Sequence, residues 1–344
     1  MSVMTASSNR KIRDAKDAFG TILLGVLVGL LLYLGLHGDA HAAMIDDARI
    51  KLLGNKVPLI GRDLNGTDLN GCSLEGRQVL SVSLEGVVSA EGETLSSLRL
   101  AKTVFHGQLQ DGSSIGSQAL VGASFSAILD DGGLLTLRVQ DIKRDHADKA
   151  NKKVRRYFVT YSDGSRDLPL CGENSEGQAI SAIPVNGRWN LEEGVAGGGA
   201  HIDDPGSFTF ACEGYAVAKC ILAGYQPWRR VHVCTQGAGC VWSDLSDHLQ
   251  ACTRLLRADF CGNGQSHTED GVWVNLYDGL GVRADADDWL MEAEWNADGA
   301  VCMQRSRLEG IVPACAEYLL AEECGLDEHF GAGTLLMSET DPGL

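Results

Sequence analysis

The sequence predicts a mixed β and α+β fold: a small β-rich N-terminal domain followed by a disulfide-stapled α+β domain. Three observations carry this. Aspartate–glycine turns punctuate alternating apolar runs in the first half, cysteines crowd the second half, and helical apolar spacing is confined to that second half. With 344 residues, 44% hydrophobic and 22% charged, the chain has enough apolar surface to bury a core and too much for disorder.

The first element is an export segment. A basic stretch (Arg10, Lys11, Arg13, Lys16) precedes an apolar run from Thr21 to Leu36 and then Ala40-His41-Ala42, with small residues where a signal peptidase reads. The expectation is a signal peptide over residues 1–42, cleaved after Ala42, because the run falls short of the roughly 20 residues that span a bilayer. An uncleaved signal anchor is the alternative, and membrane contact is expected only through this segment. The rest of the chain is then secreted, periplasmic or at the cell surface.

Residues 43–155 read as the β-rich region. Leu64-Asn65-Gly66-Thr67-Asp68, Leu69-Asn70-Gly71-Cys72-Ser73 and Leu74-Glu75-Gly76-Arg77-Gln78 repeat with a period of five, similar to pentapeptide-repeat solenoids, though for about one turn only. Asp111-Gly112, Asp131-Gly132 and Asp163-Gly164 separate strand-like runs such as Leu134–Val139 and Arg156–Tyr161, since glycine accepts the positive φ of tight hairpin turns. The mixed-charge stretch Lys143–Arg156 reads as a solvated linker. Gly112-Ser113-Ser114-Ile115-Gly116 matches the hydrolase elbow pattern, but no helical run follows it, so it is a chance match.

Residues 156–327 form the cystine-rich domain. Tyr215–Ala223 stops at Gly224 like a helix; Asp244–Asp259 places Leu245, Leu249, Cys252, Leu255 and Leu256 at helical spacing; Gly271–Tyr277 alternates like a strand; and Pro313–Cys324 suggests a last helix before Gly325. Glu192–Pro205, with Gly197-Gly198-Gly199, reads as a flexible loop, and residues 328–344 as a flexible tail. Ten of the eleven cysteines lie here: Cys171, Cys212, Cys220, Cys234, Cys240, Cys252, Cys261, Cys302, Cys315 and Cys324. Such enrichment fits an oxidising compartment. Connectivity stays open, with Cys234–Cys240 favoured by spacing, and Cys72 reads as a buried small hydrophobe.

Five segments together resemble one family: Asp167-Leu168-Pro169-Leu170-Cys171-Gly172; Phe208-Thr209-Phe210-Ala211-Cys212 leading to Ala218-Lys219-Cys220; Gly224-Tyr225-Gln226-Pro227-Trp228; His248-Leu249-Gln250-Ala251-Cys252 leading to Arg257–Gly262; and Gly264-Gln265-Ser266-His267-Thr268. The arrangement is similar to the ADYC-domain family of exported bacterial proteins, over roughly Tyr157 to Gly325. The naming tetrapeptide appears here as Ala258-Asp259-Phe260-Cys261, without the tyrosine hydroxyl. The resemblance implies an exported, cystine-rich fold and brings no activity with it.

The formal net charge of −17 repels phosphate backbones and argues against a nucleic-acid partner. Catalytic candidates are His267 with Asp259 or Asp270, because a carboxylate-held imidazole serves as general base near its ordinary pKa. The structural alternative is that Asp259 caps or bonds the backbone of a tight loop and His267 braces it. His248 and Cys252 sit four apart, a zinc-compatible spacing, but an oxidised cysteine is the stronger reading, so no metal and no cofactor are expected. Asp285, Asp287 and Asp288 lack an EF-hand pattern and read as a solvated turn. Trp228, Trp242, Trp273 and Trp289 are candidate contact residues, Trp273 being the one its strand would bury. The expectation is a noncatalytic interaction module with a protein or cell-envelope partner, against an exported hydrolase acting through His267.

Overall fold

A computed structural model describes residues 49–51, 58–235, 239–269, 271–285, 289–320 and 323–341, with the side chains of 49–51 and 233–235 outside the description. The export segment, Ala42, Asp270, Asp287 and Asp288 lie outside the described residues. The chain runs β1 (Arg49–Lys51), β2 (Val79–Ser83), β3 (Ser97–Ala101), β4 (Val104–Gln108), β5 (Ser114–Gly116), β6 (Ser124–Leu129), β7 (Leu134–Arg144), β8 (Arg155–Ser162) and β9 (Asp167–Pro169). It continues through β10 (Ala182–Asn186), β11 (Arg188–Trp189), β12 (His201–Ile202), β13 (Ser207–Cys212), α1 (Ala216–Leu222), β14 (Arg230–Thr235) and β15 (Gly239–Asp244). The last elements are α2 (Ser246–Arg257), β16 (Trp273–Asp278), β17 (Leu290–Asn296), β18 (Gly299–Met303), α3 (Ala316–Leu319) and β19 (Leu336–Thr340).

Strands β10-β13-β2-β6-β7-β8 form one antiparallel sheet that closes on itself, with Ala182 of β10 opposite Tyr157 of β8. Closure leaves no free edges within the ring, and β9 is appended to β8. The alternation in β7 and β8 is what closure requires: Leu135, Leu137 and Val139 point inward with Tyr157, Val159 and Tyr161, while the residues between them are more exposed. Phe105, Phe125, Tyr157, Phe208 and Phe210 fill the interior, mostly edge to face, the geometry that ring quadrupoles favour. Burial pushes the Tyr157 phenol up to about 12, so it stays protonated. Its hydroxyl lies 3.0 Å from the Thr103 carbonyl, to which it donates, and 2.8 Å from Ser117 Oγ.

The fold is β-rich with few, short helices, and the described α-helices all lie in the cystine-rich second half. The expected domain boundary between 155 and 156 falls inside β8, and the barrel takes strands from both sides of it. The stretch Lys143–Arg156 is no solvated linker: it forms the β7–β8 turn, where Arg156 pairs with Asp145 at 2.7 Å and Glu213 at 2.7 Å.

The five-residue repeats do not coil. Gly66, Thr67 and Asp68 pair antiparallel with Leu74, Ser73 and Cys72 in a hairpin. Leu64 and Leu74 are buried, whereas Leu69 at the tip is 73% exposed. Asp68 Oδ1 accepts from Asn70 N at 2.8 Å and Cys72 N at 2.7 Å, which ties the turn locally. Ser89 and Asn174 repeat the same device at Glu91/Glu93 and Glu176/Gln178. Cys72 is an exposed free thiol rather than a buried hydrophobe.

The second layer is a five-stranded sheet, β1-β16-β19-β17-β18, with α2 lying against β17, β18 and β19. Residues 328–344, expected as a flexible tail, supply its middle strand: all five residues of β19 are buried between β16 and β17. The helix expected over Pro313–Cys324 shrinks to α3, while Trp273 is 41% exposed at the start of β16 rather than core. Arg307 and Glu292 form a fully buried two-pronged pair at 2.6 and 2.7 Å, with Arg307 also donating to the Leu255 carbonyl of α2.

Four cystines are described: Cys171–Cys212, Cys220–Cys252, Cys261–Cys315 and Cys302–Cys324. Cys240 is disulfide-bonded as well, opposite Cys234 in the strand register, but the Cys234 side chain lies outside the described residues. These bonds fit an oxidising, extracytoplasmic environment. No described helix is long and apolar enough to cross a membrane.

Candidate functional site

The sequence placed its catalytic candidates on the loop after α2, and the geometry there is that of a clasp. Helix α2 ends on Ala258, a non-glycine residue at φ +51, followed by Asp259 with 1% of its surface exposed. Asp259 Oδ1 accepts from Asn263 N at 3.0 Å; Oδ2 accepts from Gly264 N at 2.9 Å and from the Arg254 guanidinium. Both carboxylate oxygens are therefore spent on holding the turn. His267 is partly buried; its Nδ1 lies 3.0 Å from the Ala258 carbonyl and therefore carries the proton, and its ring lies against Phe260. Ser266 Oγ donates to the Arg257 carbonyl at 3.0 Å. Asp259 and His267 face different partners, and Asp270 lies outside the described residues.

The rest of the tetrapeptide explains itself in the same terms. Phe260 is buried and stacks on Trp295 with centroids 5.2 Å apart. Cys261 ties the loop to Cys315. At Gly262, φ is +63 and a Cβ would stand 1.6 Å from the Asp298 carbonyl, so no other residue fits. Within the triglycine stretch Gly198 is equally fixed: a Cβ there would meet the Asn263 and Glu192 carbonyls at 2.3 and 2.4 Å, and Arg254 donates to the Gly198 carbonyl. Arg257 joins Glu193 at 2.7 Å. Residues 192–205, expected to be flexible, dock onto the clasp.

The zinc-compatible pair dissolves, because Cys252 is bonded to Cys220 and His248 stacks flat on Tyr225. Burial lowers the His248 pKa and keeps the ring neutral. The one group of potential ligands among the described residues, Glu294 with Cys302 and Cys324, offers no thiolate since those cysteines form a cystine.

A second place gathers polar groups around a hollow. A cavity of about 230 Å³ opens between the barrel end and the first turn of α2. Its apolar wall is Val185, Pro227, Trp228 and Leu249; its polar groups are Lys102, Asn186, His201, Asp203 and Ser246. His201 packs edge-on against buried Trp189, with Nε2 2.9 Å from the Asn186 carbonyl. A carbonyl only accepts, so Nε2 carries the proton.

Strands β14 and β15 rise from the rim of this cavity, since Trp228 precedes Arg230 by two residues and Ser246 follows its partner Asp244 by two. They pair only with each other among the described strands. Every residue of β15 is exposed, including Val241 and Trp242 at 61% and 62%, and Trp242 leans on His232 with centroids 5.0 Å apart. A wider groove of about 340 Å³ lies between the Leu69 hairpin tip and strands β7 and β8. Its walls are the outer face of the barrel, without a tryptophan or a histidine.

Sequence reasoning missed the cavity because its lining comes from five separated segments, of which only Trp228 had been marked as a contact residue. A family model described as the ADYC domain matches residues 117–309. That span begins before the segment 157–325 that carried the sequence resemblance, and takes in barrel strands β6 and β7. No curated protein and no solved structure matches the chain.

Proposed function

From the premise that this chain belongs to the ADYC-domain family, we propose that it is a noncatalytic recognition module working in the periplasm or at the cell surface. Its partner, a protein or other component of the cell envelope, docks on the ribbon β14–β15 and the rim beneath it. The observation that carries this reading is the solvent-exposed Val241–Trp242 pair on a cystine-tied ribbon. Exposed tryptophan next to an aliphatic residue costs solvation and is typical of contact hot spots. The cystines support an exported site of action. Asp259 supports the noncatalytic reading, because both its carboxylate oxygens hold the loop and Arg254, and it does not orient His267.

A photoreactive amino acid at Val241, compared with the same residue at exposed Leu134 on the barrel, tests this in cells that export the protein. A discrete adduct from position 241 that disappears with Trp242→Ser is the expected result. No adduct from position 241, or the same adduct from both positions, overturns the assignment of the ribbon.

A further inference from the structure

The cavity at the ribbon's root holds two opposite charges that the fold leaves unpaired. Lys102 sits at the tip of the β3–β4 hairpin with φ +61, a backbone conformation that glycine or asparagine adopts more readily. Turn geometry therefore does not account for a lysine there. Asp203 follows β12 on the opposite chain segment, and neither residue has a hydrogen bond or ion pair among the described residues. Ser246, with its hydroxyl, and His201, whose Nδ1 is left as an acceptor when the ring is neutral, line the same cavity.

Size and lining narrow the occupant. About 230 Å³ is below the roughly 300–1,000 Å³ of sites for drug-sized ligands. Trp228, Leu249, Val185 and Pro227 form an apolar wall beside the charges. A ligand with one charge leaves the other cavity charge unmatched and gains less than one that pairs with both. A small molecule with adjacent anionic and cationic groups and a hydrocarbon body satisfies both charges and the wall. The first turn of α2, at Ser246 in the cavity lining, contributes partial positive charge.

We propose that this cavity binds an apolar α-amino acid as its zwitterion, the carboxylate on Lys102, the ammonium on Asp203 and the side chain against Trp228 and Leu249. Such a ligand is independent of the partner docking inferred from Trp242, so a missing crosslink at the ribbon leaves the binding isotherm untouched.

Calorimetry on the oxidised full chain, with L-leucine as the probe, tests it against 4-methylpentanoate, which lacks the amine, and 3-methylbutylamine, which lacks the carboxylate. L-Leucine is expected to bind at least about tenfold more tightly than either analogue. Lys102→Met and Asp203→Asn are each expected to weaken it by about tenfold or more, Lys102→Arg to retain it, and Trp228→Ala to bring leucine down to the affinity of glycine. Lys102 and Asp203 are exposed, and an unchanged circular dichroism spectrum confirms that their variants fold. Absence of binding by L-leucine and L-phenylalanine, equal binding of a singly charged analogue, or full binding by both charge variants overturns the proposal.

Discussion

At the scale of single residues, the tetrapeptide that names the family works as a fastening. Asp259 neutralises Arg254 and caps two backbone amides while almost wholly buried. Asp259→Asn removes the charge and strands a buried guanidinium, so unfolding in urea should show a loss of about 3–5 kcal/mol; a loss under about 1 kcal/mol would refute the fastening role. A second carboxylate makes stability depend on pH. Glu339 on β19 has its carboxyl raised from 4.5 to about 7, first by burial and further by Asp285, against the opposing hydrogen bond from Asn275. A raised folded-state pKa means that its stabilising contribution is full below about 4.5 and is lost as pH rises through about 7. Glu339→Gln should therefore melt higher than the parent at about pH 8 and close to it at about pH 4.5; a melting difference that stays constant across that range contradicts the assignment. The sequence marked Asp259 and His267 as candidates on one loop, and the hydrogen bonds of Asp259 are those of the structural alternative. Nearness in sequence did not tell which way their polar atoms face, because backbone amides of the same loop had first claim on them.

At the scale of elements, local chemistry was legible and length was not. Each aspartate–glycine turn sits where a glycine at positive φ lets two strands reverse, and α1 and α2 run within a few residues of their expected ends. The five-residue repeats misled because the same spacing of leucine and glycine also suits a hairpin, and the deciding hydrogen bonds from Asp68 follow from side-chain geometry, not period. Helix α3 is bounded by a non-helical Cys315, bonded to Cys261, and by an extended Leu320. The loop after α2 is the most demanding element. Gly262→Ala would press a methyl group into the Asp298 carbonyl at a left-handed φ, and the variant should be destabilised by more than about 3 kcal/mol or fail to fold. Cys261→Ala, which frees Cys315 but leaves that backbone unstrained, should cost about 2–5 kcal/mol. Chemical melts of the two variants side by side check both, and an unchanged Gly262→Ala melt would show that the loop relaxes freely.

At the scale of the whole molecule, the fold is joined by strands that sequence proximity does not link, and this hid the largest part of it. The barrel draws β2 and β6–β8 together with β10 and β13, so the compositional change near residue 156 marks where cystines begin and not where a structural unit ends. β19 was the hardest element to read. Leu336-Met337-Ser338-Glu339-Thr340 carries no alternation, because a middle strand covered on both faces buries every side chain. Its polar residues are buried as well: Ser338 accepts from Trp295 Nε1 at 2.8 Å and donates to Glu292 at 2.7 Å, while Glu339 accepts from Asn275 at 2.8 Å. Removing residues 328–344 would strip β16 and β17 of their shared neighbour and leave the Glu292–Arg307 pair without Ser338. Unpaired backbone groups on two interior strands and an opened core each cost several kcal/mol, comparable to the whole stability of a domain of ordinary size. The truncated chain should therefore lose its cooperative melt and scramble or reduce Cys302–Cys324, whose strand β18 hangs on β17. Mass mapping of cystines together with calorimetry reads this directly. A truncated protein that keeps the four described cystines and a sharp transition would return β19 to the role of a dispensable tail.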